Sequence, residues 1–416
     1  MKRFLFFLFS LTALLLFVLS AFGCASADFD VIIGTDLHYI SPSINDNGEY
    51  FMAVLANGDG KLAQYAEEIT EAFLFDVIDR SPSALILTGD LTFNGAAESH
   101  RDLAEKLRSV EKYGIPVFVT TGNHDLYNRN AALFSGNSYE RLTPFTSEDF
   151  RTVYEEFGFD EALSADSDSL SYLARIAEDT LLLMLDFNTL HDPCGISEVT
   201  LRWVEEQLNT AQKEGMHVLA AGHQNLFQHS MFVSGYMIGN SGKLLSLFEK
   251  YGVELFLSGH LHIQHIVSER NITEIATSAL CLSPCHYGVL QVKNGEFSYH
   301  TERVPVSRWA EQNNIDNTDL LSFDSYAEEE FDRRSVAQAE RALENRGFTE
   351  EEKKVLIDYA VAVQRGVFSG DQTQLADADP DGRLAERWRR TGTLHGYYLS
   401  TAVPEPGTDH NVWGIP

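Results

Sequence analysis

Aspartate, histidine and asparagine recur in this chain just after short apolar runs. Val31-Ile32-Ile33 leads through Gly34-Thr35 to Asp36-Leu37-His38, and Ala84-Leu85-Ile86-Leu87 leads through Thr88-Gly89 to Asp90. Val117-Phe118-Val119 precedes Thr120-Thr121-Gly122-Asn123-His124-Asp125. Val218-Leu219-Ala220 precedes Ala221-Gly222-His223, and Leu255-Phe256-Leu257 precedes Ser258-Gly259-His260-Leu261-His262. These are metal-ligand side chains. Asp36 and His38 lie two apart, so in an extended segment both reach one ion. A carboxylate has two oxygens, so Asp90 can bridge two cations. Asn123 offers an amide oxygen, and His223, His260 and His262 offer imidazole nitrogens. Oxygen and nitrogen donors without thiolate suit Mn, Fe or Zn better than Ca, and argue against a soft-sulfur site.

Each apolar run reads as a central strand. Open α/β sheets place ligands beyond the carboxyl ends of such strands, so five strand ends delivering these residues to one rim describe a polynuclear metal site. Helical patterns over 63–80, 99–113, 147–157, 197–214 and 241–251 alternate with the strands, which argues an α/β domain. Ser99 with Asp102 reads as a capping-box-like start, and Gly114 and Pro116 as the stop of that helix. Asn294-Gly295 between apolar stretches 288–292 and 296–300 reads as a hairpin. After Pro305 the texture changes. Charged, helix-favouring segments cover 326–346 and 350–364, with Thr349 as N-cap, and a shorter one covers 384–390. The division expected is a catalytic domain over 28–306 and a helical appendage over 307–416 that packs on it and ends in coil.

Lys2 and Arg3 precede an apolar run from Phe4 to Phe22, the pattern of a secretory signal peptide over residues 1–27. Ala25-Ser26-Ala27 is an A-x-A cleavage site, whereas Cys24 after Ala21-Phe22-Gly23 resembles a lipoprotein box; a retained membrane anchor is the third reading. All three predict a protein secreted, or anchored at the outer face of the cell membrane. The 416-residue chain carries a net charge of −30. Loss of Lys2 and Arg3 makes the mature chain −32 (−30 less two positive charges). So acidic a surface disfavours nucleic-acid polymers but not a small phosphate ester, since bound metals supply local positive charge. Cys281 and Cys285 are close enough in sequence to close a small disulfide loop, although so short a loop strains the bridge.

Asp36-Leu37-His38, Gly89-Asp90, Gly122-Asn123-His124-Asp125, Gly222-His223 and Gly259-His260-Leu261-His262, in this order, resemble the motifs of the calcineurin-like metallophosphoesterase superfamily. The resemblance implies a four-layer α/β/β/α sandwich and two divalent metal ions, with Mn or Fe favoured over Zn. The first ion would be held by Asp36, His38, Asp90 and His262, and the second by Asp90, Asn123, His223 and His260. His124 would serve the leaving oxygen, and Asp125 would orient its ring. A hydroxide between the ions, about 3.5–4 Å apart, would attack phosphorus in line. Gly89-Asp90-Leu91-Thr92-Phe93-Asn94-Gly95 looks like the variant seen in bacterial cyclic-nucleotide phosphodiesterase-like members, secreted and lipoprotein forms among them. Phe93 stands where purple acid phosphatases place a tyrosine. Gln224 stands where many relatives have a second histidine.

Other residues carry alternatives. Tyr39 and Asn94 are candidate substrate contacts, with packing as the competing reading for Tyr39. The stretch Asn57-Gly58-Asp59-Gly60-Lys61 has the wrong spacing for a P-loop and reads as a turn over the active site. His100, His191, His229 and His265 lie near the motifs without a defined role. The expected function is an extracytosolic, dinuclear-metal hydrolase of small phosphodiesters, with cyclic nucleotides as a candidate substrate. A secreted phosphomonoesterase or nucleotidase, a nuclease and a non-enzymatic surface binding protein are the alternatives.

Overall fold

The computed structural model describes residues 28–191, 193–231, 234–293, 295–401 and 405–414. The expected signal peptide and Cys24 lie outside the described residues. In chain order the strands are β1 (Phe29–Gly34), β2 (Ala84–Leu87), β3 (Val117–Val119), β4 (Ala132–Ser135), β5 (Ser138–Arg141), β6 (Ser164–Ala165), β7 (Tyr172–Arg175) and β8 (Thr180–Met184). They continue as β9 (His217–Ala221), β10 (Leu255–Ser258), β11 (His265–Glu269), β12 (Ile272–Ala276), β13 (His286–Lys293), β14 (Glu296–Arg303) and β15 (Val412–Gly414).

Two large sheets result, in the orders β15-β14-β13-β1-β2-β3 and β11-β12-β10-β9-β8-β7-β6, beside a two-stranded β4-β5 sheet. The five strands that end in ligand-type residues form two parallel blocks, β1-β2-β3 in the first sheet and β9-β10 in the second. Their sequences are almost wholly apolar because both faces are covered. Along β8, Leu182 and Met184 join the core shared with the first sheet, while Leu181 and Leu183 join a second core with the helices Glu198–Glu214 and Ser241–Tyr251. This period of two is that of a strand buried on both faces. The helices Ala66–Arg80 and Ala97–Glu111 cover the other side of the first sheet through Phe73, Val77, Leu103 and Leu107. The four-layer α/β/β/α sandwich is therefore present.

The β13–β14 hairpin forms with Lys293 opposite Glu296. The Ser241–Tyr251 helix has the bounds its pattern predicts, and Ser197 caps the helix that follows it. The start at Ser99 is corrected: the helix begins at Ala97, and Ser99 Oγ instead accepts a hydrogen bond from the Ser41 amide. Asp102 accepts from the Tyr39 hydroxyl at 2.6 Å rather than closing a capping box.

In the tail, the helices Phe323–Leu343 and Glu350–Ser369 form a hairpin, and Thr349 caps the second through a full capping box with Glu352. Their core includes Leu343, Leu356, Val363 and the fully buried Trp388, whose indole N–H donates to the Leu356 carbonyl. Ile263, next to His262, belongs to the same core. The helical appendage is thus packed directly behind a ligand loop. Its expected coil ending is corrected as well: β15 pairs antiparallel with β14 and extends the first sheet. Cys281 and Cys285 are free thiols. No disulfide joins them because they face different packing regions, Cys281 against Phe331 and Cys285 in the main core. Among the described residues no helix is long and apolar enough to cross a membrane.

Candidate metal centre

The loops that follow β1 and β2 are stitched together beyond the sheet. The Asp36 amide donates to the Gly89 carbonyl and the His38 amide to the Asp90 carbonyl. In the second sheet the Gly259 amide donates to the His223 carbonyl. The two sheets are then joined at the site itself: the His260 amide donates to Asp36 Oδ2 at 2.9 Å. The His124 amide donates to Asp90 Oδ1 at 2.8 Å. Each carboxylate spends one oxygen on an amide and turns the other into the cluster.

Asp36, His38, Asp90, His260 and His262 all have φ between 44° and 74°. Left-handed backbone at non-glycine residues is uncommon and concentrates at functional sites. Two glycines make the approach possible. A Cβ on Gly122 would collide with the Asp90 backbone and carboxylate, and one on Gly259 would collide with Thr35 and Asp36.

Two groups of ligand atoms result, each with all atoms within 4.8 Å of one another: Asp36, His38, Asp90 and His262, and Asp90, His223 and His260. Asn123 joins the second, its Oδ1 lying 3.3 Å from His223 Nε2. Asp90 is common to both. Its Oδ2 faces His223 Nε2 at 3.4 Å, His38 Nε2 at 3.6 Å and His124 Nε2 at 4.0 Å.

Three of the outer ring nitrogens are spoken for. His223 Nδ1–H donates to the Thr88 carbonyl at 2.8 Å, His260 Nε2–H to the Gly235 carbonyl at 3.0 Å, and His124 Nδ1–H to the Phe93 carbonyl at 2.8 Å. The network so assigns the tautomers, and each ring turns its other nitrogen, a lone pair, inward. Carbonyl and carboxylate partners behind histidines are the usual support of metal ligands.

The donor set fits divalent cations. Asp36 Oδ1 is buried without a hydrogen-bond partner among the described residues, and His38 Nε2 and His262 Nε2 face each other at 3.2 Å. Burial alone would neutralise Asp90, yet the surrounding imidazoles hold its carboxyl well below the usual range. Burial opposes the His223 imidazolium, but Asp90 and Asp36 raise that ring to about 9.

Two expectations from sequence are overturned. Asp125 does not touch the His124 ring. Its carboxylate accepts from the amides of Leu91, Thr92 and Gly122 and from Thr92 Oγ1, so it clamps two ligand loops together. Burial, then Asp90, pushes its acid up to about 7. Tyr39 is fully buried, and its hydroxyl is spent on Asp102, so it cannot contact substrate. Asn94 does line a cavity beside His124. Its amide donates to the Asn130 and Ala132 carbonyls, while Oδ1 stays buried and unpartnered.

Gln224 is buried, and its amide is bonded to Asn188. His100 is buried between Tyr154, Thr92 and the Asp125 carbonyl, and His229 and His265 bond to each other. His191 is exposed. One residue was missed by motif reading. Asp59, in the loop that reads as a turn over the site, places Oδ2 at 3.4 Å from His262 Nδ1 and at 2.5 Å from Lys61 Nζ. Only its position on that loop hinted at a role.

The cluster lies between two cavities. One, of about 720 Å³, is lined by Phe93, Asn94, His124, Asn128, Tyr139 and Arg141. The other, of about 560 Å³, has His260 and His262 in its wall and the tail helices opposite. Asp59 borders both.

Residues 29–264 match the family described as "Calcineurin-like phosphoesterase", and residues 305–406 match "C-terminal domain of cyclic nucleotide phosphodiesterase". The chain is 24% identical to a probable glycerophosphodiester phosphodiesterase of Arcobacter nitrofigilis, over 62% of this chain and 86% of the relative. It is 32% identical to a probable cyclic nucleotide phosphodiesterase of Ruthia magnifica, over 24% of this chain and 36% of that protein. A solved dimetal phosphatase from Danio rerio aligns with a TM-score of 0.48 at 13% identity, covering 66% of this chain and 96% of that one.

Proposed function

This chain belongs to the calcineurin-like phosphoesterase family, and from that premise we propose that it is an extracytosolic, dinuclear-metal phosphodiesterase acting on small phosphodiesters, cyclic nucleotides among them. The observation that carries the reading is Asp90, one carboxylate shared by two complete groups of ligand atoms. Asp36, His38, Asp90 and His262 would hold one divalent cation, and Asp90, Asn123, His223 and His260 the other. Mn or Fe suits this donor set best. Such ions supply Lewis acidity toward phosphoryl oxygens and lower the pKa of water.

The protein's own residues do the rest. His124 is left out of both ligand groups. Its Nδ1–H is fixed on the Phe93 carbonyl, so Nε2 is free to hold or deliver a proton at the leaving oxygen. Asp125 fixes the loops that carry Asp90 and His124. Two cavities meeting at the cluster suit a diester, which has two organic arms, better than a monoester, which has one. The matches to a cyclic nucleotide phosphodiesterase C-terminal domain and to phosphodiesterase-named relatives support the same preference. An extracytosolic address rests on the signal-peptide pattern of residues 1–27, and a lipid anchor on Cys24.

Purified protein supplied with Mn²⁺ is expected to hydrolyse bis-p-nitrophenyl phosphate faster than p-nitrophenyl phosphate. Asn123→Ala is expected to abolish turnover, and His124→Ala to reduce it by roughly 10²–10⁴-fold. Full activity in both variants, or a preference for the monoester, overturns the reading.

A further inference from the structure

The cavity between the ligand loops and the tail is assigned no role by the family's chemistry. Its floor is Asp59, His260 and His262, and most of its remaining wall comes from the helices Phe323–Leu343 and Glu350–Ser369 and from the segment 394–398. At about 560 Å³ it lies within the roughly 300–1,000 Å³ of small-molecule pockets. The lining is mainly apolar and aromatic. Phe331 and Phe368 meet edge to face at 5.3 Å, and Val367 and Leu394 extend the surface.

Against this surface stand a few unspent polar groups. The Arg341 guanidinium makes no hydrogen bond or ion pair with any described residue, although most arginines of the tail helices are paired. His395 Nε2 is buried with no hydrogen-bond partner among the described residues. Ser335 donates to Gln364 Oε1 at 2.6 Å and Gln364 donates to Gln338 Oε1 at 3.3 Å. That relay fixes the Gln338 amide and leaves its N–H2 group without an acceptor among the described residues. A cationic fork, an amide donor and a neutral imidazole nitrogen beside an aromatic wall match a flat heterocycle with polar edges. A purely aliphatic arm would strand all three.

We propose that this cavity is the nucleoside pocket: the tail helices bind the base of the retained arm of a nucleotide diester, with Arg341 and Gln338 as specificity-determining residues, while the leaving arm departs through the His124 cavity. The inference rests on the phosphodiesterase reading for the orientation of the substrate, since His124 lines the opposite cavity. The pocket itself is tested separately.

Two chromogenic diesters share one leaving group, p-nitrophenolate: thymidine 5′-(4-nitrophenyl) phosphate and methyl 4-nitrophenyl phosphate. The wild-type protein with Mn²⁺ is expected to prefer the nucleoside ester by more than tenfold in kcat/KM. In Arg341→Ala and Gln338→Ala the nucleoside ester is expected to lose roughly tenfold, through KM, while the methyl ester is unchanged. Equal loss on both esters, or no loss on either, overturns the pocket assignment. Saturation-transfer NMR with adenosine, which carries no phosphate and needs no metal, is the second readout. Adenosine contacts that weaken in both variants support the pocket even if neither ester is hydrolysed, in which case the phosphodiesterase reading alone fails. Absence of adenosine contacts together with an unchanged ester preference rejects the pocket and leaves that reading intact.

Discussion

Asp59 Oδ2 lies 3.4 Å from His262 Nδ1, so a loop far from that ligand in sequence supports it from behind. Lys61 closes the arrangement by pairing with the same oxygen. Burial alone would raise the Asp59 acid, but Lys61 and then His262 hold it well below the usual carboxylate range. The acid therefore stays ionised and keeps the proton of His262 on Nδ1, with Nε2 turned toward Asp36.

Asp59→Asn is accordingly expected to weaken metal binding by roughly 10–100-fold without unfolding the protein. Competition titration with a chromophoric chelator reads this directly. Unchanged affinity would show that the contact is incidental.

Asp125 leads to a different expectation. Its carboxylate accepts from three amides and a hydroxyl while fully buried. Asp125→Ala leaves those donors unpaired, at about 1–3 kcal/mol for each group that finds no new partner. Urea unfolding of the metal-free protein is expected to show a loss of several kcal/mol. A stable variant with only a slower rate would restore the older expectation that Asp125 orients the His124 ring.

The buried histidines should lose their share of the stability on mild acidification. Burial pushes the His100 and His265 rings down to about 3, and the His286 and His395 rings down to about 4. In the unfolded chain these groups titrate near 6.5. Folded pKa values below the unfolded value mean that the stabilisation is complete above about pH 6.5 and is lost as pH falls toward the folded values. Between pH 7.5 and 5.5 the loss is roughly 1 kcal/mol for each of the buried His100 and His265, in a window where ordinary carboxylates stay ionised. Denaturant midpoints of the wild type and of His100→Gln at the two pH values measure it: the variant is expected to lose less on acidification than the wild type, and equal losses contradict it.

Much of the site was legible because its strands are buried on both faces. Such strands read as unbroken apolar runs, and the residues that follow them must leave the sheet at its rim. What stayed hidden depends on side-chain direction. Asp125 follows His124 directly, yet its carboxylate points back under the Gly122 and Leu91 amides, and adjacency does not reveal that. Tyr39 follows His38, but the left-handed backbone at Asp36 and His38 breaks the alternation of a strand, and its ring turns into the core. Ser99 looks like a cap, but its hydroxyl is taken by the Ser41 amide from a distant loop. The helix Glu49–Ala56 was missed because Gly48 precedes it without a side-chain cap. β15 exists only because β14 offers it a partner, and three residues carry no pattern of their own.

The shared carboxylate is the centre of the account, and metal stoichiometry tests it most directly. After reconstitution and dialysis, the wild-type protein is expected to retain two Mn²⁺ ions per chain by elemental analysis, and Asp90→Asn to retain at most one and to lose diester hydrolysis. An Asp90→Asn protein that keeps two ions and the wild-type rate would contradict it.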